Sequence, residues 1–306
     1  MCVLNKIEKI YFFCFAAIFF LSCNNSGEGF FNKEKSSCSK NLVAETMFFD
    51  GENREYILFI PENYKGTSAV PVVFNFHGNG EVASDYMMRA DMRAAAQAHP
   101  FILVYPQGSC LNGSTHWNPC PIGEDNKSDT DDFGFFENLL QVLSASYNVD
   151  SNRVYAVGYS NGGMMAYGLA HYKSNLIAGV ASVSGVMLDC TGTPQHPMPV
   201  LHLHGTSDPV IPYQGNNYYA SVDQVINHWV GFNNTVTDPI IQSYNSAGMR
   251  IEHAVYDQGD RGVAVEHYKY IGGEHLWFET TVEGQNTASL IWNFLSQYDL
   301  KGRIEQ

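Results

Sequence analysis

The stretch that most constrains this chain is Gly158-Tyr159-Ser160-Asn161-Gly162, with Gly163 behind it. It reads Gly-x-Ser-x-Gly. The β-branched and aromatic run 153–157 precedes it, and the helix-forming run 164–170 follows. A serine between a strand and a helix sits on a sharp, strained turn. Flanking glycines leave room for that turn, so the hydroxyl stands clear of the sheet. The helix that follows aims free backbone N–H groups at any oxyanion forming beside the serine. The pattern predicts a strand–turn–helix unit with Ser160 as a nucleophile, the bland alternative being an ordinary tight turn.

Around that unit, strand-like and helix-like runs alternate. Residues 42–49 and 56–61 alternate in polarity and are joined by Asp50-Gly51-Glu52-Asn53, a hairpin signal. Residues 70–76 are almost continuously apolar, as in a strand covered on both faces, and end in His77-Gly78-Asn79-Gly80. Residues 84–99 predict one helix stopped by Pro100, and 101–105 the next buried strand. Residues 107–130 read as a long polar loop carrying Cys110, Trp117 and Cys120. Asp131 or Asp132 can cap the next helix, whose Phe136, Leu139, Leu140 and Leu143 keep helical spacing. The run Asp129-Thr130-Asp131-Asp132 lacks the glycine and distal glutamate of EF-hand spacing and reads as a capping cluster. Strands at 177–184, 199–203, 249–257 and 263–271, with helices at 219–230 and 287–298, complete the chain. This alternation predicts an α/β fold: a mostly parallel central sheet with helices on both faces and an N-terminal antiparallel hairpin, in one domain over 42–300.

The formal net charge of −14 argues against nucleic acid and against adsorption to anionic lipid, both of which need clustered Lys and Arg. At the N-terminus, Lys6 and Lys9 precede twelve apolar residues from Ile10 through Leu21. That run is too short to span a bilayer and fits a signal-peptide core over 1–22. Its ending, Phe20-Leu21-Ser22-Cys23, resembles a bacterial lipobox, with Cys23 lipidated after cleavage and 23–41 as a tether. Membrane contact is then through the lipid alone; plain secretion is the alternative. Cys38, Cys110, Cys120 and Cys190 remain, an even number for an oxidising compartment. Cys110 and Cys120 bracket a short step in one loop and form the natural first pair. Cys38 with Cys190 follows by elimination. Without a C-x-x-C or a Cys/His cluster at metal spacing, no zinc site is expected.

Open parallel sheets bind ligands at the carboxyl ends of their strands. His77-Gly78, Ser160, Asp208 and His275 each follow a strand run. A serine hydroxyl needs a base within hydrogen-bond reach, itself oriented by an acid. His253 and His267 fall inside strands and read as packing or surface residues, whereas His275 follows two glycines that let a loop deliver it. Asp223 lies in a helix, and Asp238, Asp257 and Asp260 in loops or at strand ends. Asp208 directly follows a buried strand and precedes Pro209. Ser160, Asp208 and His275 therefore form the expected triad, while His202 and His204 read as packing or hydrogen-bonding in that strand and its turn. Asn161 supplies one oxyanion N–H, and the second comes from Asn79 or else Gly78, with the His77 ring holding that turn. Trp277, Trp117 and Tyr159 are the candidate substrate contacts, with simple packing as the alternative for each tryptophan.

With these residues in hand, the chain resembles the secreted polyhydroxybutyrate depolymerase, feruloyl esterase and acetyl-xylan esterase group of α/β-hydrolases. The likeness rests on PVVFNFHG (71–78), GYSNGGMMAY (158–167), HLHGTSDPVIPY (202–213), GGEHLW (272–277) and the late Ile291-Trp292. It implies the α/β-hydrolase fold, Ser160 as nucleophile, Asp208 as acid, His275 as base, a tryptophan near the site at Trp277, and a disulfide-bearing loop near Trp117-Asn118. The turn His77-Gly78-Asn79-Gly80 departs from the family's commoner versions. The expectation is a serine carboxylesterase, without metal or organic cofactor, on a feruloyl, acetyl or hydroxybutyrate ester. A peptidase is an alternative, since a triad does not choose between ester and amide. A non-catalytic binding lipoprotein would fit a chain missing a triad member, and a lipase is disfavoured by the lack of a long amphipathic lid.

Overall fold

The computed structural model describes residues 44–190 and 192–305. They belong to one unit spanning Ser36–Gln306. The expected signal segment, Cys23, the expected tether and Cys38 lie outside the described residues. The N-terminal hairpin is β1 (Glu45–Phe49) and β2 (Glu52–Phe59). Asp50 and Gly51 turn it with φ of 49° and 82°, the pair of positive values a two-residue hairpin loop requires. Next come β3 (Val70–Phe76), α1 (Ala83–Arg89), α2 (Arg93–Ala98) and β4 (Ile102–Pro106). The small ribbon β5 (Ser109–Leu111) and β6 (Ser114–His116) leads to α3 (Asp132–Ser146), β7 (Val149–Tyr159) and α4 (Asn161–Tyr172). Then follow β8 (Gly179–Val183), β9 (Val200–Gly205), α5 (Val222–Asn233), β10 (Ile240–Ser246), β11 (Met249–Tyr256), β12 (Val265–Tyr270) and α6 (Thr287–Leu295). A final ribbon pairs β13 (Tyr298–Asp299) with β14 (Gly302–Arg303).

Ten strands form the main sheet in the order β1-β2-β4-β3-β7-β8-β9-β12-β11-β10. The six from β4 to β12 run parallel, and antiparallel strands flank them on both edges. Because side chains alternate along each strand, the sheet serves two cores. Val72, Phe74 and Phe76 pack with α3, α4 and α5, while Val73 faces α1, α2 and α6. Strands buried on both faces explain the unbroken apolar run of β3.

Three local expectations change. The helix expected over 84–99 is broken into α1 and α2, because buried side chains claim the Ala90 carbonyl. Tyr105 donates to it at 2.8 Å and Asn75 at 3.3 Å, so it is not free to continue the helical ladder. The loop expected over 107–130 contains the β5–β6 ribbon, turned by Asn112 and Gly113 with φ of 52° and 81°. Strand β10 adds to the expected elements; Ala247 and Gly248 turn it into β11.

The disulfide pairing is also corrected. Cys120 bonds Cys190, with Cα atoms 5.6 Å apart, which overturns both Cys110–Cys120 and Cys38–Cys190. Cys110 is disulfide-bonded in its own right. Because the ribbon turns at Asn112-Gly113, Cys110 lies opposite Thr115, and Cys120 lies past the end of the ribbon, where Pro119 packs against α4. There a Cβ on Gly168 would meet the Pro119 carbonyl oxygen at 2.3 Å.

Candidate active site

Ser160 follows β7 and caps α4 with φ 54° and ψ −120°, a strained conformation for a residue with a side chain. Its amide donates to the Val183 carbonyl at 2.9 Å, which ties the turn to β8. The turn is tight enough that a Cβ on Gly162 would lie 2.0 Å from the Phe76 carbonyl oxygen, so only glycine fits. Gly205 plays the same part at β9, where a Cβ would lie 2.2 Å from the Gly273 carbonyl oxygen. That close approach brings the loop after β12 across the end of β9.

The two loops deliver His275 and Asp208 to Ser160. His275 Nδ1 lies 2.7 Å from Asp208 Oδ2, and its Nε2 lies 2.9 Å from Ser160 Oγ. An ionised carboxylate only accepts, so Nδ1–H donates and Nε2 is left to receive the serine proton. Asp208 Oδ1 accepts the amides of Val210 and Ile211, each at 2.8 Å. Burial pushes the Asp208 carboxyl up, but hydrogen bonds from His204, His275 and the Ile211 amide outweigh it and hold the group well below the usual carboxylate range. Tyr159 donates to the His275 carbonyl at 2.9 Å, and Ser184 Oγ to the Leu276 carbonyl at 3.0 Å, so the histidine loop is fastened on both sides.

At the end of β3, the His77 ring is wholly buried. Nδ1–H donates to the Gly78 carbonyl at 2.7 Å, and Nε2 accepts the Gly108 amide at 2.9 Å. Burial holds its pKa down to about 4, so the ring is neutral and acts as a joint between this turn and the start of the 107–130 segment. Neither Asn79 nor Asn161 donates its backbone N–H to a protein acceptor among the described residues. Gly78 differs: its amide donates to Glu81 Oε2 at 2.7 Å, and Glu81 is paired with Arg89. Gly78 is therefore committed to the turn, which corrects its candidacy as oxyanion donor.

Trp117 is corrected as well. It is fully buried, donates Nε1–H to the His77 carbonyl at 3.0 Å and packs edge-on against Phe76. It supports the turn from beneath and offers no exposed surface to a substrate. Asn161 grips it, accepting the Trp117 amide at 2.8 Å and donating to its carbonyl at 3.1 Å. Trp277 lies at an opening of about 230 Å³ that it shares with Arg89, Asp91, Glu279 and Asn286. The Arg89 guanidinium in turn stands 4.2 Å over the Tyr159 ring. His253 stacks on Tyr268 at 4.0 Å and bonds Glu266, and His267 bonds Tyr213 and the His202 carbonyl, so both are occupied elsewhere. No group of metal-ligating side chains occurs among the described residues.

Sequence reasoning missed Glu81, Gln107 and the pair Arg54–Asp132. Gln107 bonds His77 and the Ala83 amide. Arg54 meets Asp132 at 2.8 Å beneath the 107–130 segment, and Asp132 also accepts the Asn118 amide. No local pattern marks these residues, because their partners are distant in the chain.

A serine on a strand-to-helix turn, facing a histidine and an aspartate from later strand ends of a mainly parallel sheet, defines an α/β-hydrolase. The sequence matches the phospholipase/carboxylesterase family over residues 64–237, more than half of the chain, and the protein belongs to that family. It is 26% identical over 257 residues to a bifunctional acetylxylan esterase/xylanase of Neocallimastix patriciarum, covering 83% of this chain and 35% of the relative. It is 24% identical over 263 residues to feruloyl esterase B of Piromyces equi, covering 81% of this chain and 46% of that one. The chain thus spans less than half the length of either curated relative. Among solved structures, an acetyl xylan esterase from Aspergillus awamori superposes with a TM-score of 0.62 at 15% identity, covering 83% of this chain and 99% of the other, a likeness of fold.

Proposed function

We propose that the protein is a serine carboxylesterase acting on acyl groups attached to polysaccharide, acetyl or feruloyl, with hydroxybutyrate oligomers as a further substrate class. The observation that carries this reading is the continuous line Ser160–His275–Asp208, at 2.9 and 2.7 Å. Ser160 Oγ attacks the ester carbonyl as His275 Nε2 takes its proton. Asp208 holds the imidazole in the productive tautomer and stabilises its charged form. The free N–H groups of Asn161 and Asn79 receive the oxyanion, where one such donor is worth about 10²–10³ in kcat. His275 then protonates the leaving alcohol, and water releases the acid by the same steps. Exposed Leu276, next to the base, offers an apolar contact for the acyl group. The Cys120–Cys190 bond fits an exported protein, and lipidation at Cys23 would tether the enzyme to a membrane.

The test is turnover of p-nitrophenyl acetate and methyl ferulate by the mature chain beside Ser160→Ala. Loss of both activities in a variant that melts like wild type is the expected result, with kcat lower by about 10⁶ as in other serine hydrolases. Retained turnover would remove Ser160 from the role. The ratio of the two substrates ranks small against aromatic acyl groups.

A further inference from the structure

Behind the acid of the triad, two buried imidazoles stand in a row that the reaction steps above leave unused. His202 and His204 alternate along β9, so they share one face, and both are wholly buried. Their rings lie nearly parallel, with His202 Nε2 3.2 Å from His204 Nδ1. At one end the Tyr167 hydroxyl lies 2.7 Å from His202 Nδ1. At the other, His204 Nε2 lies 2.9 Å from the Ile211 carbonyl and 3.2 Å from Asp208 Oδ2.

The chemistry of the two ends fixes the direction of every hydrogen bond between them. A carbonyl and a carboxylate only accept, so His204 carries its proton on Nε2. Its Nδ1 then has a lone pair and receives His202 Nε2–H. His202 Nδ1 in turn receives the Tyr167 O–H. Each donor points toward Asp208, and no ring needs a charge. Burial, with the neighbouring His204 and His267, holds His202 far below the ordinary histidine range, consistent with a neutral ring.

We propose that His204 is a positioning residue for Asp208, and that the line Tyr167–His202–His204–Asp208 sets the pH at which His275 becomes competent as the base. This rests on the triad reading above. Asp208 Oδ2 takes His275 Nδ1–H at 2.7 Å, and His204 Nε2, whose proton is donated to the Ile211 carbonyl at 2.9 Å, stands 3.2 Å from the same oxygen. A carboxylate oxygen with a second N–H dipole beside it presents less negative charge to the imidazolium. His204 also restrains the rotation of the carboxylate, which the Val210 and Ile211 amides hold only through Oδ1. Without His204, the imidazolium is stabilised more and the base is held less firmly. Other titratable or charged groups facing the cluster are His267 and Lys269 from β12, Tyr213 from the loop after β9, and Tyr159 with Arg89 on the far side of His275. None of them reaches Asp208 by a hydrogen bond among the described residues.

The experiment is the pH profile of kcat/KM on p-nitrophenyl acetate for wild type, His204→Leu and His204→Gln, with Ser160→Ala as the inactive reference and melting curves for all four. Leu removes the donor. Gln keeps an N–H at the position of Nε2. In His204→Leu the acid limb should move to higher pH by about one unit or less, and kcat/KM at the optimum should fall roughly tenfold or more, the worth of one hydrogen bond to a charged group. His204→Gln should return the limb toward wild type. A uniform loss with the limb unmoved in both variants would make His204 a packing residue and overturn the inference. An active Ser160→Ala would instead overturn the triad reading itself. Should His204→Leu fail to fold, ¹⁵N NMR of the wild-type protein decides. His204 must show the Nε2–H tautomer and shift with the same midpoint as His275; an Nδ1–H tautomer, or no response to that titration, overturns the inference.

Discussion

The Ser160 turn and the 107–130 segment both abut the turn after β3, yet they are held by opposite means. Gly158–Gly163 is fixed by its own backbone, pressed against its neighbours at distances that allow only glycine, with one amide bond to Val183. The 107–130 segment has few backbone bonds outside its short ribbon and is pinned by side chains from elsewhere. Arg54 and Asp132 hold it from below, Asn161 from the side and Cys190 through a disulfide. His77 joins the two regions, taking the Gly108 amide on one nitrogen and bonding the Gly78 carbonyl with the other. A backbone turn is rigid wherever its sequence is allowed, whereas a segment pinned from afar is as firm as its weakest distant partner.

That contrast is broken most sharply at Arg54. Its side chain and that of Asp132 are 3% and 0% exposed, so Arg54→Met leaves a buried carboxylate without its partner. A loss of about 3–5 kcal/mol is expected, read as a fall in the urea midpoint at unchanged slope. Fluorescence of buried Trp117 should report the loosening of the segment.

The disulfide tests the same side of the comparison with a smaller effect. Replacing Cys120 and Cys190 together by serine should cost about 2–4 kcal/mol, measured by calorimetry beside wild type. A change near zero would mean that the side-chain hydrogen bonds alone hold the segment.

Acid should act on the joint. The folded His77 titrates near 4, below the 6.5 or so of an unfolded histidine, so the unfolded chain binds the proton first. Its contribution is fully present above about pH 6.5 and is lost as pH falls toward about 4. His267 and His171, held by burial to about 3 and about 4, act in the same direction. Urea midpoints between pH 7 and 4 should therefore fall for wild type and fall less steeply for His77→Gln. Equal slopes would remove His77 from the account.

The features legible in the sequence are those whose cause lies within a few residues. Asp50-Gly51 announces a hairpin because its two residues adopt positive φ cheaply. The apolar run 70–76 announces a strand covered on both faces, and Gly-x-Ser-x-Gly announces the strained turn. Asn112-Gly113 carries the same hairpin signal, masked by the polar residues around it. Ala247-Gly248 is a weaker form of it.

What sequence alone determined, then, was the hairpin, the alternation of buried strands and helices through the parallel part of the sheet, the turn at Ser160, and the loops that carry Asp208 and His275. Only the tertiary structure decided that Cys120 meets Cys190, that Gly78 serves Glu81, that Trp117 is a buried support, and that His204 stands beside Asp208. The physical reason is range. Backbone conformation is governed by neighbouring residues, but a side chain's partner is set by which distant surfaces the sheet brings together, and no local pattern records that.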